Sequence, residues 1–254
     1  ASNNTAVGIN ALTANTTGTQ NVAVGALALD ANTTGGSNLA VGHNALGSNT
    51  TASNNTAVGR DAMRDTTTGT QNASFGTAAL FTNSTGSNNT AIGFQALALS
   101  TTASNNTALG FDSLKLNTTG TQNTAVGAEA LDANTTGNFN DAFGKGSLSA
   151  NTTGSQNVAV GSGALNANTT ANNNVAVGIN ALNDNTEGTQ NTAVGAVSLD
   201  ASTTASNNTA IGYASLGANT TGSSNVAVGG NALDANTTAN DNTAVGYNSL
   251  GANT

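Results

Sequence analysis

The chain contains no cysteine, proline or tryptophan, and few of its residues are aromatic or charged. Without cysteine it forms neither disulfides nor thiolate metal sites. Charged residues are 6% of the 254, whereas ordinary soluble proteins contain about 25%. Such a composition is typical of disordered chains unless the apolar residues follow a pattern.

Positive charge is especially scarce. The only basic side chains are Arg60, Arg64, Lys115 and Lys145, and the net charge is −8. Nucleic-acid binding needs clustered Lys and Arg to neutralise phosphates, and an anionic membrane surface has the same requirement. No apolar run approaches the roughly 20 residues of a membrane span. We therefore expect no nucleic-acid partner and no direct membrane insertion.

The chain is a series of 17-residue repeats. A glycine recurs every 17 residues from Gly8 to Gly246, and the consensus from Thr5 to Asn21 is T-A-V-G-x-x-A-L-x-A-N-T-T-G-x-x-N. Positions one to seventeen below refer to this unit, with Thr5 at position one. A strict period of this kind indicates a repeat architecture rather than disorder.

The length of the repeat predicts the fold class. Helical repeats need about 33 residues or more, whereas T-A-V-G alternates with period two, as a strand does. We expect A-L-x-A to form a second strand, and the Asn, Thr and Gly residues to form turns. The prediction is an all-β, single-domain parallel β-solenoid (β-roll) of about 15 turns. We expect residues 1–254 to be one continuous array and a fragment of a longer fibre.

The positions that never carry charge indicate the core. Position three is always large and apolar, and position eight is Leu or Met. The predicted core therefore includes Val126, Leu131, Val160, Leu165, Val177 and Leu182. Ala at position two would then point outward, and we interpret this column as an inter-chain stripe. Its members include Ala125, Ala142, Ala159 and Ala176. The alternative is an alanine that only fills a tight flat face.

Identical residues in stacked repeats predict ladders. Asn at position seventeen should form an amide ladder, as stacked Asn does in cross-β structures, and Thr at position twelve a hydroxyl ladder. Glycine at position four indicates a positive φ or a contact too close for a Cβ atom. The turn and ladder residues so predicted include Gly127, Thr135, Asn140, Asn157, Gly161 and Asn174.

Two short motifs carry a resemblance to known families. The N-T-A-I-G sequence of Asn89–Gly93 resembles the head repeats of trimeric autotransporter adhesins, although those heads use a shorter unit. The longer N-T-A-V-G-x-x-A-L-x-x-N-T-T-G unit is similar to repeat arrays of bacterial and phage tail-fibre-type proteins. The resemblance covers the whole chain. It implies a left-handed β-roll, homotrimeric assembly, display on a bacterial or phage surface, and adhesion.

Catalytic and metal sites are not expected. The only histidine, His43, occupies the variable position five without a fixed acid or nucleophile beside it, so we interpret it as a solvated surface residue. Asp112 and Glu129 share position six in adjacent repeats, but the calcium-binding repeat pattern G-G-x-G-x-D is absent. We predict no enzyme activity, no cofactor and no metal.

The expected function is a structural extracellular or cell-surface fibre segment, adhesive and acting as a repetitive rod. Its expected partners are further copies of itself, as a homotrimer or filament, and a host, matrix or other surface. The alternative is an ice-binding or other surface-binding β-solenoid module. Asn at position eleven and Thr at position thirteen, such as Asn15 and Thr17, would form its two parallel rows.

Overall fold

The computed structural model describes residues 1–253, and they form a parallel β-solenoid with one strand in each 17-residue repeat. These residues contain no α-helix. The predicted fold class is confirmed, while its left-handed winding stays a prediction. The chain divides into two compact units, Ala1–Asn123 and Thr124–Thr254, which are described separately.

The first unit contains seven three-residue strands. Each pairs in parallel with the next along the chain, so that equivalent positions of the repeat face each other. The strands are β1 (Thr5–Val7), β2 (Val22–Val24), β3 (Leu39–Val41), β4 (Thr56–Val58), β5 (Ala73–Phe75), β6 (Thr90–Ile92) and β7 (Thr107–Leu109).

The second unit contains eight strands of the same length, paired in the same way and register. They are β8 (Thr124–Val126), β9 (Asp141–Phe143), β10 (Val158–Val160), β11 (Val175–Val177), β12 (Thr192–Val194), β13 (Thr209–Ile211), β14 (Val226–Val228) and β15 (Thr243–Val245).

The strand faces are the reverse of the sequence prediction. In β10, Ala159 is fully buried, whereas Val160 is 39% exposed. Because successive side chains of a strand point to opposite faces, position two lines the interior, and positions one and three face outward. Val126 and Val177 are likewise only half-buried, so placing the position-three valines in the core was wrong.

The predicted leucine core is confirmed. Leu131, Leu165 and Leu182 are fully buried. With one bulky Leu and no bulky position-three side chain inside, the interior of each repeat is narrow, and position two is occupied only by the small residues alanine and, once, serine (Ser74). This geometric limit explains the reversal, because alternation alone does not say which of the two strand faces is enclosed.

The predicted second strand, A-L-x-A, does not form. Positions six and eight adopt left-handed φ values in successive repeats, such as 52° at Leu165 and 53° at Leu182. Left-handed φ costs a non-glycine residue about 1–2 kcal/mol. Complete burial of the Leu side chain offsets this cost, as does the hydrogen bond from the Leu165 N–H to the Ala181 carbonyl (3.0 Å). The segment is therefore a hydrogen-bonded series of turns.

The position-four glycines confirm both reasons given for them. Gly161 has a φ of 134°, and a Cβ atom there would overlap the carbonyl oxygen of Gly178 in the next repeat. Gly127 has the same φ and lies against Gly144 in the same way. Glycine at position four is therefore required both by backbone conformation and by the spacing of the repeats.

This requirement leads to a prediction for Gly161→Ala. We expect a loss of about 2–3 kcal/mol in the free energy of unfolding, because left-handed strain adds to the steric overlap. Chemical denaturation measures the loss. Gly230→Ala is the matched control, since the nearest atom to a Cβ there would be Tyr247 Cδ2 at 3.5 Å, an ordinary contact. Equal losses for the two variants would contradict the geometry.

Candidate functional site

A buried amide ladder runs through each unit at position seventeen, as predicted. Asn174 is fully buried; its N–H donates to Asn157 Oδ1 (3.0 Å), and its own Oδ1 accepts from the Asn191 N–H (3.0 Å). Its Nδ2 donates to the Gly188 carbonyl (2.8 Å). Each amide thus joins its own repeat to its neighbours, and its polar atoms are satisfied in the interior.

A second buried amide ladder, at position eleven, was not predicted. Asn168 Nδ2 donates to Asn151 Oδ1 in the preceding repeat (2.8 Å) and to the Ala171 carbonyl (3.2 Å). The Ala171 carbonyl also accepts from Asn157 Nδ2 (2.9 Å). The two ladders therefore converge on the position-fourteen carbonyl. The available sequence indication was that position eleven is restricted to Asn, Ser and Thr.

The position-eleven ladder is interrupted where serine or threonine replaces asparagine. Ser202 occupies this position after Asn185, and its short side chain does not reach the Asn185 amide. Asn185 Oδ1 and Ser202 Oγ are both buried without a hydrogen-bond partner. The same pattern follows Asn49, where Thr66 stands in the next repeat. These interruptions are weak points, because an unsatisfied buried polar atom costs about 1–3 kcal/mol.

Repairing an interruption should stabilise the fold. Ser202→Asn would supply an Nδ2 donor to Asn185 Oδ1 and an acceptor for the next repeat, and we expect a gain of about 1 kcal/mol. Thermal and chemical denaturation measure it. Ser206→Asn is the control in the same repeat, at position fifteen, where Asn172 already occurs, and it should be neutral. A gain from Ser206→Asn but not from Ser202→Asn would refute the ladder account.

The position-twelve threonines also form a ladder, although not between hydroxyls. Thr135 Oγ1 donates to the carbonyl of Thr152 in the next repeat (2.9 Å), and Thr152 Oγ1 donates to Thr169 in the same manner (3.0 Å). The prediction for Thr135 is thus confirmed as a side chain-to-backbone ladder.

The predicted inter-chain stripe is wrong. Ala125, Ala142, Ala159 and Ala176 are all completely buried within the chain, so they offer no surface to another molecule. The outward column of large side chains is at position three instead. In the second unit its members include Phe143, which is 41% exposed, Val160 and Ile211. We call this set of position-three side chains, in each unit, the outer column.

The two predicted ice-binding rows are not present on the surface. Position-eleven side chains such as Asn32, Asn168 and Asn219 are fully buried, because their amides are used in the interior ladder. Only the position-thirteen threonines, for example Thr153 and Thr170, are exposed. The surface therefore offers one threonine column there instead of two matched rows.

The few charges lie outside the ladders. Lys115 Nζ lies 2.9 Å from Asp112 Oδ2 in its own repeat. Arg64 makes two hydrogen bonds to Asp65 (2.8 and 2.9 Å) and lies 3.8 Å from the ring centre of Phe81. The hydrogen bond to Asp65 raises the pKa of Arg64. The ion pairs lie within single repeats, the contact of Arg64 with Phe81 joins two adjacent repeats, and such ion pairs contribute little to stability at a solvated surface.

The Asp200 carboxyl lies where its ionised form is unfavourable. Burial raises the pKa of Asp200, and the neighbouring charge of Asp184 raises it further. A carboxyl whose pKa is higher in the folded state destabilises the fold once it ionises. The destabilisation by Asp200 is therefore absent below the pKa of the unfolded state. It grows as the pH rises from that value and is complete above the pKa of the folded state.

Residues 1–253 contain no group of three His, Asp or Glu side chains in a metal-binding arrangement. His43 is exposed, as predicted. Within the same residues no helix has the length and apolarity to cross a membrane.

The comparisons with known proteins add no assignment. A scan against protein-family models finds no family that matches the chain, and a search of curated proteins finds no similar sequence.

Proposed function

We propose that the chain is a structural segment of an extracellular or cell-surface fibre, which acts as a repetitive rod and presents an adhesive surface. The observation that carries the proposal is the pair of interior asparagine ladders. Each repeat uses its amides to bind the next repeat, as Asn174 does to both Asn157 and Asn191. A design of this kind extends by adding repeats without changing the interior.

The nature of the interior favours a mechanical role. Every fully buried side chain in residues 1–253 is apolar or neutral, and no charged group lies among them. Stability built on amide ladders and small apolar residues depends little on pH or salt, because neither protonation nor screening alters such contacts. A segment exposed to changing external conditions benefits from that independence.

Self-association as a homotrimer or filament is part of the proposal, with the contact at the outer column instead of the alanines. In the second unit the column runs from Val126 to Val245 with an apolar side chain at every repeat. Val160 and Ile211 are each about 40% exposed. A contact repeated along the column would bury apolar area in proportion to the number of repeats.

The test is sedimentation velocity of the chain at micromolar concentration. We expect an oligomer, and we expect the combined Val160→Asp, Val177→Asp and Val194→Asp variant to sediment as a single chain with its circular dichroism unchanged. The matched control places Asp at Thr153, Thr170 and Thr204 on the exposed position-thirteen column, where Glu187 occurs naturally.

The control should remain associated. A wild-type chain that sediments as a monomer would remove self-association from the proposal. An oligomer that survives in the valine variant would show that the outer column is not the contact.

A further inference from the structure

The second unit carries a groove that breaks the regularity of its surface. Position six bears a side chain in every repeat except two consecutive ones, where it is Gly146 and then Gly163. Both glycines have left-handed φ, 65° and 70°, as the other residues at this position do. The missing side chains leave a groove of about 440 Å³, and Glu129 and Asn180 stand at its two ends.

The groove is lined by hydrogen-bonding groups. Its walls include Lys145 and Ser162 at position five and Ser149, Asn166 and Asn183 at position nine. No large apolar side chain takes part in the lining. The groove therefore suits a ligand that forms many hydrogen bonds and has little hydrocarbon surface, and it does not suit a lipid or an aromatic compound.

Some of these groups are held in place by the fold. Asn166 Nδ2 donates to the Gly146 carbonyl (3.0 Å) and to Ser149 Oγ (2.9 Å). Ser162 Oγ donates to the Lys145 carbonyl (3.3 Å). The amide of Asn166 thus joins two adjacent repeats within the lining. The lining is partly organised before any ligand binds, which lowers the entropic cost of binding.

The charges of the groove narrow the ligand class. Glu129 and Asp132 contribute two carboxylates, and Lys145 contributes one ammonium group. The net negative charge disfavours phosphates and other anions, and residues 1–253 contain no group of three metal-ligating side chains. Ammonium and amide donors beside carboxylate and carbonyl acceptors match hydroxyl groups, since each hydroxyl both donates and accepts.

We propose that this groove binds a short uncharged saccharide. Two repeats at the spacing of parallel strands span about 10 Å, which is the length of a disaccharide. The inference goes beyond the structural role proposed above and stands without it, because the groove lies within one chain. Since the groove is shallow and polar, we expect a Kd of about 1 mM.

The test is saturation-transfer difference NMR with lactose, maltose and diacetylchitobiose as probes. At least one should receive saturation from the wild-type chain. Gly146→Asn restores the residue most common at this position and fills the groove, since a Cβ atom there meets only Asn166 Nδ2 at 3.5 Å. We expect its affinity for the probe to fall roughly tenfold, because the space for one sugar ring is lost.

Two further variants complete the test. Ala214→Asn is the matched control, because it places the same residue at the same position six, also with left-handed φ, outside the groove; binding should be unchanged. Lys145→Ala introduces a residue found at position five elsewhere, so it provides a second test of the groove if Gly146→Asn does not fold. We expect it to weaken saccharide binding about threefold. No transfer from any probe, or equal transfer to the groove variants and the wild type, would overturn the proposal.

Discussion

Replacing Ala159 with aspartate should open the solenoid around β10, with a local loss on the order of 3–5 kcal/mol, the cost of an uncompensated buried charge. Ala159 is fully buried and pairs with Ala142 and Ala176. No charged side chain is fully buried in residues 1–253, so the carboxylate would find no cation there. Amide hydrogen exchange should show lost protection in β9, β10 and β11.

The adjacent residue provides the control. Val160→Asp places the same carboxylate on the outer face of the same strand, where the native side chain is 39% exposed. We expect its amide protection to remain within about 1 kcal/mol of wild type, because the new charge stays solvated. A reduction in association without loss of protection would agree with the proposed role of the outer column. Equal loss of protection in the two variants would mean that both faces of β10 are enclosed.

The sequence was sufficient to predict the repeat, the fold class, the leucine core and the ladders at Thr135 and Asn174. These predictions depend only on which residues recur every 17 positions and on which positions of the repeat carry charge. Stacking then follows, because residues 17 positions apart must occupy equivalent places in a solenoid. The predicted strand T-A-V-G was also correct, since its period is two.

The sequence could not predict in the same way which face of each strand lies inside the solenoid. Alternation separates Ala159 from Val160 but does not say which is inside, and hydrophobicity favours the larger residue. The deciding quantity is the width of the interior, which depends on the path of the chain at positions five to ten. There Leu165 adopts a left-handed φ that its propensity opposes, and so the narrow interior was not foreseeable.

The position-eleven asparagines show a related limit. The sequence predicted a turn at position eleven, which includes Asn168, and only the ice-binding alternative placed that position on the surface. Where the ladder is continuous, as at Asn168, the amide donates to Asn151 Oδ1 and accepts from Asn185 Nδ2, so its burial is no longer costly. The restriction of this position to Asn, Ser and Thr was the one available indication, and it does not distinguish a surface turn from an interior ladder.

The interior ladder gives the second large expected effect. Asn174→Asp preserves the shape of the side chain but replaces its amide N–H₂ by an oxygen. The Gly188 carbonyl, which now accepts from Asn174 Nδ2 at 2.8 Å, would then face a carboxylate. We expect a loss on the order of 3–5 kcal/mol at neutral pH, since a buried charge is created beside the Gly188 carbonyl, which would keep only its hydrogen bond from Asn185 Nδ2 (3.0 Å).

This loss should depend on pH in a defined direction. The introduced carboxyl, when protonated, can donate to the Gly188 carbonyl, so burial favours the neutral acid and raises its pKa in the folded state. The variant should therefore approach wild-type stability below about pH 3.9, the unfolded value. It should lose that stability as the pH rises through the folded pKa. Denaturation midpoints between acid and neutral pH, compared with wild type, measure the effect.

Asn173→Asp, one residue earlier, is the control that separates loss of the interior amide from the addition of a charge. Asn173 occupies the exposed position sixteen, where Asp241 occurs naturally. The same substitution there adds a solvated charge and removes no interior donor, so the change in stability should stay within about 0.5 kcal/mol at every pH. If Asn174→Asp were as mild as Asn173→Asp at neutral pH, the position-seventeen amides would not be holding the repeats together, which would contradict the proposed structural role of the ladders.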